Sequence, residues 1–141
     1  MNTKRYLLAS AAVFLFIFIY EWILHGVLLK GYYLQQPNLW RGPNDCVFPA
    51  MISAQIIFPL IFTYIFIQGY ESKGLSEGLR YGLLIGLLFV PHSLIWYAVQ
   101  PLSVNLVIAW IIGGIIEMML AGAIVAAIYK KCGSCGCGHK H

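Results

Sequence analysis

Four apolar runs of about 20 residues follow one another along the chain, and this spacing limits the fold more than any other feature. At a rise of about 1.5 Å per residue, a helix needs about 20 residues to cross a bilayer core. The predicted spans are residues 6–29, 47–68, 79–100 and 103–129. Only 10% of the residues are charged, against about 25% in soluble domains. The sequence predicts an all-α integral membrane four-helix bundle in residues 1–131, followed by a short tail, residues 132–141.

The distribution of basic residues predicts the orientation of these spans. Seven of the nine Lys and Arg residues fall on one side: Lys4, Arg5, Lys73, Arg80, Lys130, Lys131 and Lys140. Only Lys30 and Arg41 fall on the other side. Because cytoplasmic loops carry the excess of Lys and Arg, we expect both termini in the cytoplasm. The net charge of +4 is therefore a topology signal. The expected partner is the lipid bilayer, and no nucleic-acid partner is indicated.

Ionisable side chains interrupt the apolar spans. The first span ends in the sequence YEWILHG, in which Glu21 and His25 are four residues apart and share a helix face. A charge near the bilayer centre costs about 2.5–3.5 kcal/mol or more, and such residues usually face the bundle interior. Counting residues from the span centres predicts one polar layer near the midplane, with His25 one turn further out. The candidate intramembrane site comprises Glu21, His25, Gln55, His92 and Glu117.

Three roles remain open for this polar set. Imidazole with carboxylate suits zinc, iron, manganese or nickel, so the set could bind a transition-metal ion. It could equally relay protons, because two carboxylates in a low dielectric do not both ionise without a nearby cation. The third role is structural, with neutral or paired side chains that hold the helices together.

Small residues mark the surfaces where helices are expected to approach closely. Gly78, Gly82 and Gly86 recur every four residues in the third span and form a ridge. In the fourth span, Gly113 and Gly114 lie on the same side as Glu117, which predicts that this side packs inward. The ridge could serve a contact within the chain or between chains, so a homo-oligomer or a larger membrane complex is a further expectation.

The last twelve residues, KKCGSCGCGHKH, concentrate soft metal ligands. The candidate metal ligands are Cys132, Cys135, Cys137, His139 and His141. In the reducing cytoplasm a thiol cluster indicates metal binding or redox chemistry before a structural disulfide. Zinc and Cu(I) are the candidate ions. An inert tail and a reversible thiol switch remain the alternatives.

Three stretches resemble a group of small bacterial inner-membrane proteins that have four spans and no assigned function. They are YEWILHGVLLKGYY, GLRYGLLIGLLFVPHSLIWYAVQPL and LVIAWIIGGIIEMMLAGAIVAAIY, and the likeness covers roughly residues 6–129. The resemblance implies the fold and the membrane location, and it carries over no site residue. The cysteine tail is an addition to the family pattern.

These observations predict a membrane protein that binds or moves a transition-metal ion through the Glu and His set, with the tail receiving the ion. The alternatives are a non-catalytic accessory or scaffolding subunit and a proton-coupled small transporter. We do not expect an enzyme, because the sequence contains no nucleophile elbow, phosphate loop or haem-attachment motif.

Overall fold

The computed structural model describes residues 2–42 and 45–129, and within them it is all-helical. The helices are α1 (Thr3–Ile23), α2 (Lys30–Leu34), α3 (Phe48–Gln68), α4 (Leu75–Val99) and α5 (Val104–Ile128). A π-helical turn, Leu24–Leu28, continues α1, and one 3₁₀ turn, Pro37–Leu39, lies in the first loop. Four of these helices are long and apolar enough to cross a membrane, which confirms the predicted fold class. The first begins three residues and the third four residues before the predicted spans.

Helices α4 and α5 form a closely packed antiparallel pair. A Cβ atom on Gly82 would overlap the backbone carbonyl oxygen of Met118, and one on Gly78 would overlap that of Gly122. A Cβ on Gly86 would lie 2.9 Å from Cα of Ile115. The glycine ridge predicted from the sequence therefore packs within the chain, and only hydrogen atoms fit at these three positions of α4.

Helix α1 lies against both α3 and α5. The main core lies at the end of the bundle that carries the N terminus, which we call the terminal end. Its buried residues are Ala9, Val13, Ile17, Phe62, Phe66, Tyr70, Met118, Ala121, Val125, Ala126 and Tyr129. At this end Tyr81 of α4 also reaches α3, where its hydroxyl donates to the carbonyl of Phe62 at 2.6 Å. The terminal end is thus closed by contacts among all four long helices.

The first loop covers the opposite end of the bundle, which we call the loop-1 end. Leu29, Leu102, Leu106 and Val107 are buried there in a second cluster. The Gln36 amide donates to the carbonyl of Pro101 at 2.5 Å and fastens the loop to the turn between α4 and α5. The loop therefore covers α1 and α5. Helix α3 contributes no residue to this second cluster, so it is held mainly at the terminal end.

Gly82→Ala is expected to lower the free energy of unfolding in detergent by about 1–3 kcal/mol, because the new methyl group forces the α4 and α5 backbones apart. Gly114→Ala is the matched control, since a Cβ there meets no atom within 4 Å. The control should be neutral or slightly stabilising, because alanine favours helix more than glycine does. Denaturant titration of both purified variants measures the difference. Equal stability of the two variants would contradict the close α4–α5 contact.

A candidate intramembrane carboxyl site

Glu117 lies near the middle of α5, on the face that packs against α1. It is only 4% exposed. On the same face, the carbonyl of Gly113 accepts a hydrogen bond of 2.9 Å from the Tyr20 hydroxyl of α1. A Cβ on Gly113 would lie 2.9 Å from a methyl group of Leu24, so this glycine lets α1 approach. The prediction that this side of the fourth span packs inward agrees with these contacts.

A cavity of about 420 Å³ opens beside Glu117, and all four long helices contribute to its wall. Its polar lining residues are Glu21, Gln55 and Glu117. The remaining wall is apolar or glycine: Ile17, Met51, Ala54, Phe58, Phe89, Gly114 and Met118. Because Gly114 has open space where a side chain would stand, it helps to create the cavity. The structure therefore brings together at this cavity three of the four residues of the predicted polar layer.

Among the residues that the structure describes, two buried oxygen atoms at this cavity have no hydrogen-bond partner. They are Oε1 of Glu117 and Oε1 of Gln55. Glu117 also interacts with the carboxyl group of Glu21. Two carboxylates offer no donor to each other, so a hydrogen bond between them requires a proton on one of them. The cavity thus presents acceptor atoms that a proton or a bound cation would satisfy.

A chain of hydrogen bonds leads from Glu21 towards the loop-1 end. Nε2 of His25 lies 3.1 Å from the carboxylate of Glu21. The other ring nitrogen, Nδ1, contacts the hydroxyl of Tyr33, and this hydroxyl accepts a 2.8 Å hydrogen bond from Trp110 Nε1. His25 lies in the π-helical turn, a local feature that occurs often at functional sites. His25 therefore connects the carboxyl cavity to the aromatic side chains above it.

The hydrogen-bond partners limit the direction of the bonds in this chain. Trp110 can only donate, so the Tyr33 oxygen accepts from it, and the Tyr33 hydroxyl keeps its own hydrogen. The contact between this hydroxyl and Nδ1 of His25 can run in either direction, because each group can donate or accept. Burial raises the pKa of Tyr33 above its ordinary value; the Trp110 hydrogen bond partly offsets this, and the Glu21 charge adds to it. The Tyr33 side chain accordingly remains protonated at neutral pH, and its O–H group can still donate a hydrogen bond.

Aromatic packing holds this chain in place. Trp40 packs edge-on against Tyr33 with ring centroids 5.0 Å apart, and against Trp110 at 6.1 Å. Trp40 belongs to the first loop, and its partners come from α2 and α5. The loop thus positions the hydrogen-bond partners of His25.

His92 lies outside this site. It is exposed on α4 and accepts a 2.8 Å hydrogen bond from Trp96 Nε1, one helical turn away. It does not line the carboxyl cavity. The structure therefore does not bring His92 to the polar layer in which the sequence placed it.

No group of three or more His, Cys, Asp and Glu side chains suited to a metal ion occurs among residues 2–42 and 45–129. Glu21, His25 and Glu117 are accordingly not gathered around one metal position. The candidate ligands of the tail, Cys132, Cys135, Cys137, His139 and His141, lie outside the described residues.

Sequence reasoning missed the partners of His25. For Tyr33 and Trp40, the sequence indicates only a place in the aromatic belt at the membrane interface. Trp110 is six residues past the start of α5 and gave no separate signal. Their spacing in the sequence does not reveal the contact, because Tyr33 and Trp110 are 77 residues apart.

The fold and the cavity together define a multi-pass α-helical membrane protein with a carboxyl pair near mid-span. Comparison with known proteins adds no family: no family model matches the chain, and neither a curated protein nor a solved structure shows significant similarity to it. The functional conclusions below therefore depend on the geometry of this chain.

Glu117→Leu is expected to raise the free energy of unfolding by about 1–3 kcal/mol, because it removes a buried oxygen that has no hydrogen-bond partner. Met118→Leu, at the neighbouring buried position, conserves volume and should change stability by less than about 1.5 kcal/mol. Denaturant titration in the same detergent compares both variants with the parent protein. A clear loss of stability in Glu117→Leu would instead assign this side chain to holding the helices together.

Proposed function

We propose that this protein is a small proton-coupled carrier of the bacterial inner membrane, in which Glu21 and Glu117 exchange protons for a cargo. The observation that carries the proposal is a mid-span carboxyl group, 4% exposed, with an oxygen that has no partner, beside a second carboxyl group in a cavity. Such intramembrane carboxyl groups are costly, and they are typical of ion and proton pathways.

The surroundings of Glu117 favour proton exchange over a fixed charge pair. From α1, the titratable side chains that interact with it are Tyr20 and Glu21. Helices α3 and α4 face the cavity with Gln55 and Phe89, neither of which carries a charge. Among the residues that the structure describes, no Lys or Arg lines the cavity to neutralise the carboxyl groups. Two carboxyl groups in this setting require a proton, held by the pair or by His25 beside Glu21, or a positively charged cargo.

His25 supplies the second requirement of a proton-coupled carrier, which is a route for protons. It contacts Glu21 through Nε2 and Tyr33 through Nδ1, so it can accept a proton on one side and release one on the other. His25 and Glu21 are each about one-third exposed at the side chain, with values of 35% and 37%. Protons that enter at the loop-1 end would therefore reach the carboxyl pair through His25.

The transition-metal hypothesis receives less support within the membrane. The described residues contain no group of three or more metal-ligating side chains, whereas zinc sites use at least three protein ligands. A zinc or Cu(I) site in the tail stays a prediction, because the tail lies outside the described residues.

An accessory or scaffolding role remains the second candidate from the sequence. The glycine ridge that could have served a partner helix is occupied by α5, so an oligomer or larger complex would have to use another surface. The buried, unpartnered oxygen of Glu117 also does not fit a purely structural polar group, because such groups are usually hydrogen-bonded. We therefore place proton coupling first. The resemblance to the four-span bacterial family stays a prediction and is compatible with either role.

Labelling with dicyclohexylcarbodiimide tests whether the carboxyl pair carries a proton. This apolar reagent adds to protonated carboxyl groups and leaves a stable acylurea, which peptide mass spectrometry locates. At neutral pH we expect the label on Glu21 or Glu117, because the pair holds a proton in an apolar cavity. Labelling should decrease as the pH rises and should disappear in the double variant Glu21→Gln, Glu117→Gln.

His92→Gln is the matched control for this experiment. It removes an ionisable intramembrane side chain that the structure places away from the cavity, so its labelling should equal that of the parent protein. Label confined to Asp45, Glu71 or Glu77, which lie outside the cavity, would contradict proton binding by the pair. Label that persists undiminished at alkaline pH would contradict it as well.

A further inference from the structure

We propose that the carboxyl cavity binds a hydrophobic organic cation that carries aromatic groups, and that this cation enters from the bilayer between α3 and α4. This inference rests on the proposed function and names the class of cargo. It is built on four features: the charge of the cavity, its aromatic wall, its opening and its size.

The carboxyl groups of the cavity favour a ligand with a positive charge. Glu21, Gln55 and Glu117 are its polar lining residues, and the unpartnered oxygens of Gln55 and Glu117 are hydrogen-bond acceptors. A cation satisfies these acceptors and compensates a carboxylate in surroundings of low dielectric, where an uncompensated charge is costly. An anion would meet two carboxyl groups and, within the described part of the chain, no basic side chain of the cavity wall. A neutral ligand would leave the compensation of the carboxyl charge to a proton or to His25 beside Glu21.

The wall of the cavity favours a ligand whose uncharged part is apolar and aromatic. Phe58 of α3 and Phe89 of α4 both line it, and their ring centroids are 6.0 Å apart. Aromatic rings attract cations through their faces and pack well against other rings. Met51 and Met118 complete the wall with flexible thioether side chains, which adapt to ligands of different shape. A hydrated inorganic ion would find few partners on such a wall.

The opening of the cavity points to the lipid phase. A second cleft of about 410 Å³ runs between α3 and α4, and its lining is almost entirely apolar. It shares Ala54, Phe58 and Phe89 with the carboxyl cavity. Met51 and Phe89 are 46% and 44% exposed on the surface of the bundle. The two clefts therefore adjoin at Ala54, Phe58 and Phe89, and the exposed Met51 and Phe89 in the wall of the carboxyl cavity give a hydrophobic molecule in the bilayer a sideways approach to the carboxyl pair.

The weak contact of α3 and α4 explains this opening. Tyr81 bridges the two helices at the terminal end, through its hydrogen bond to the carbonyl of Phe62. Towards the loop-1 end, α3 is exposed along Met51, Ile52, Ile56 and Ile57. The cavity volume of about 420 Å³ is near the lower end of the roughly 300–1,000 Å³ of small-molecule sites. A ligand with a few aromatic rings has the appropriate size.

Tetraphenylphosphonium is the probe that tests this inference, and triphenylphosphine oxide is its neutral counterpart. Equilibrium dialysis of the full-length protein in nanodiscs, with empty nanodiscs as background, measures binding of both. We expect saturable binding of the cation and at least tenfold weaker binding of the neutral compound. Because cation and proton compete for the pair, the affinity should fall by up to about tenfold for each pH unit on the acid side of the titration.

Two variants separate charge from shape. Glu117→Gln keeps the size of the side chain and should weaken binding of the cation at least tenfold. Gly114→Leu places a side chain in the open space at the cavity wall and should block binding while both carboxyl groups remain. Leu84→Ala is the control, because Leu84 is 64% exposed and lines neither cleft. It should bind like the parent protein.

The outcomes distinguish this inference from the proposed function. Carbodiimide labelling of the pair without saturable binding of tetraphenylphosphonium would overturn the cargo class and leave proton binding in place. Equal binding of the cation and the neutral compound, or unchanged binding in both Glu117→Gln and Gly114→Leu, would also overturn it. Cation binding that is independent of pH, together with no labelling, would contradict the proton coupling on which the inference rests.

Discussion

The contact between the backbones of α4 and α5 is the constraint on which the arrangement of the bundle depends. Gly78 and Gly82 let α4 lie against the carbonyl groups of α5, and this fixes one face of α5, the face of Met118 and Gly122. Because a helix turns about 100° per residue, Glu117 then lies on the adjoining face and meets α1. Close packing of one helix pair thus orients the buried carboxyl group towards Glu21.

The same constraint leaves α3 weakly held. Helix α4 uses its glycine face for α5, and it reaches α3 only through larger side chains such as Tyr81 and Phe89. Lipid-facing apolar side chains gain little from packing against one another, because lipid tails are equally apolar. The α3–α4 cleft therefore stays open beside the carboxyl cavity, with which it shares Ala54, Phe58 and Phe89.

The sequence predicted the four spans, the glycine ridge and the inward side of Glu117, since each follows from length or periodicity. It placed His92 in the polar layer by depth alone. At about 100° per residue, His92 is turned about 80° from Gly82 at the centre of the ridge, and the structure shows it exposed beside Trp96. Depth in the membrane can be counted from a sequence, whereas the direction of a side chain also requires the rotation of its helix.

The loop partners of His25 were beyond sequence reasoning for a different reason. Tyr33, Trp40 and Trp110 meet because the first loop folds back over α5, and no periodic pattern encodes the path of such a loop. Glu21 and His25 were found as a pair, since a spacing of four residues places them on one helix face. The aromatic support around them became visible only in three dimensions.

Proton coupling requires that the carboxyl pair hold a proton inside the membrane, and infrared spectroscopy of the protein in lipid measures this most directly. A protonated carboxylic acid has a C=O stretching band that is separate from the bands of carboxylates and amides. We predict such a band at neutral pH, its loss as the pH rises, and its absence in the double variant Glu21→Gln, Glu117→Gln. A spectrum in which the band is missing at neutral pH, or persists in that double variant, would contradict the account.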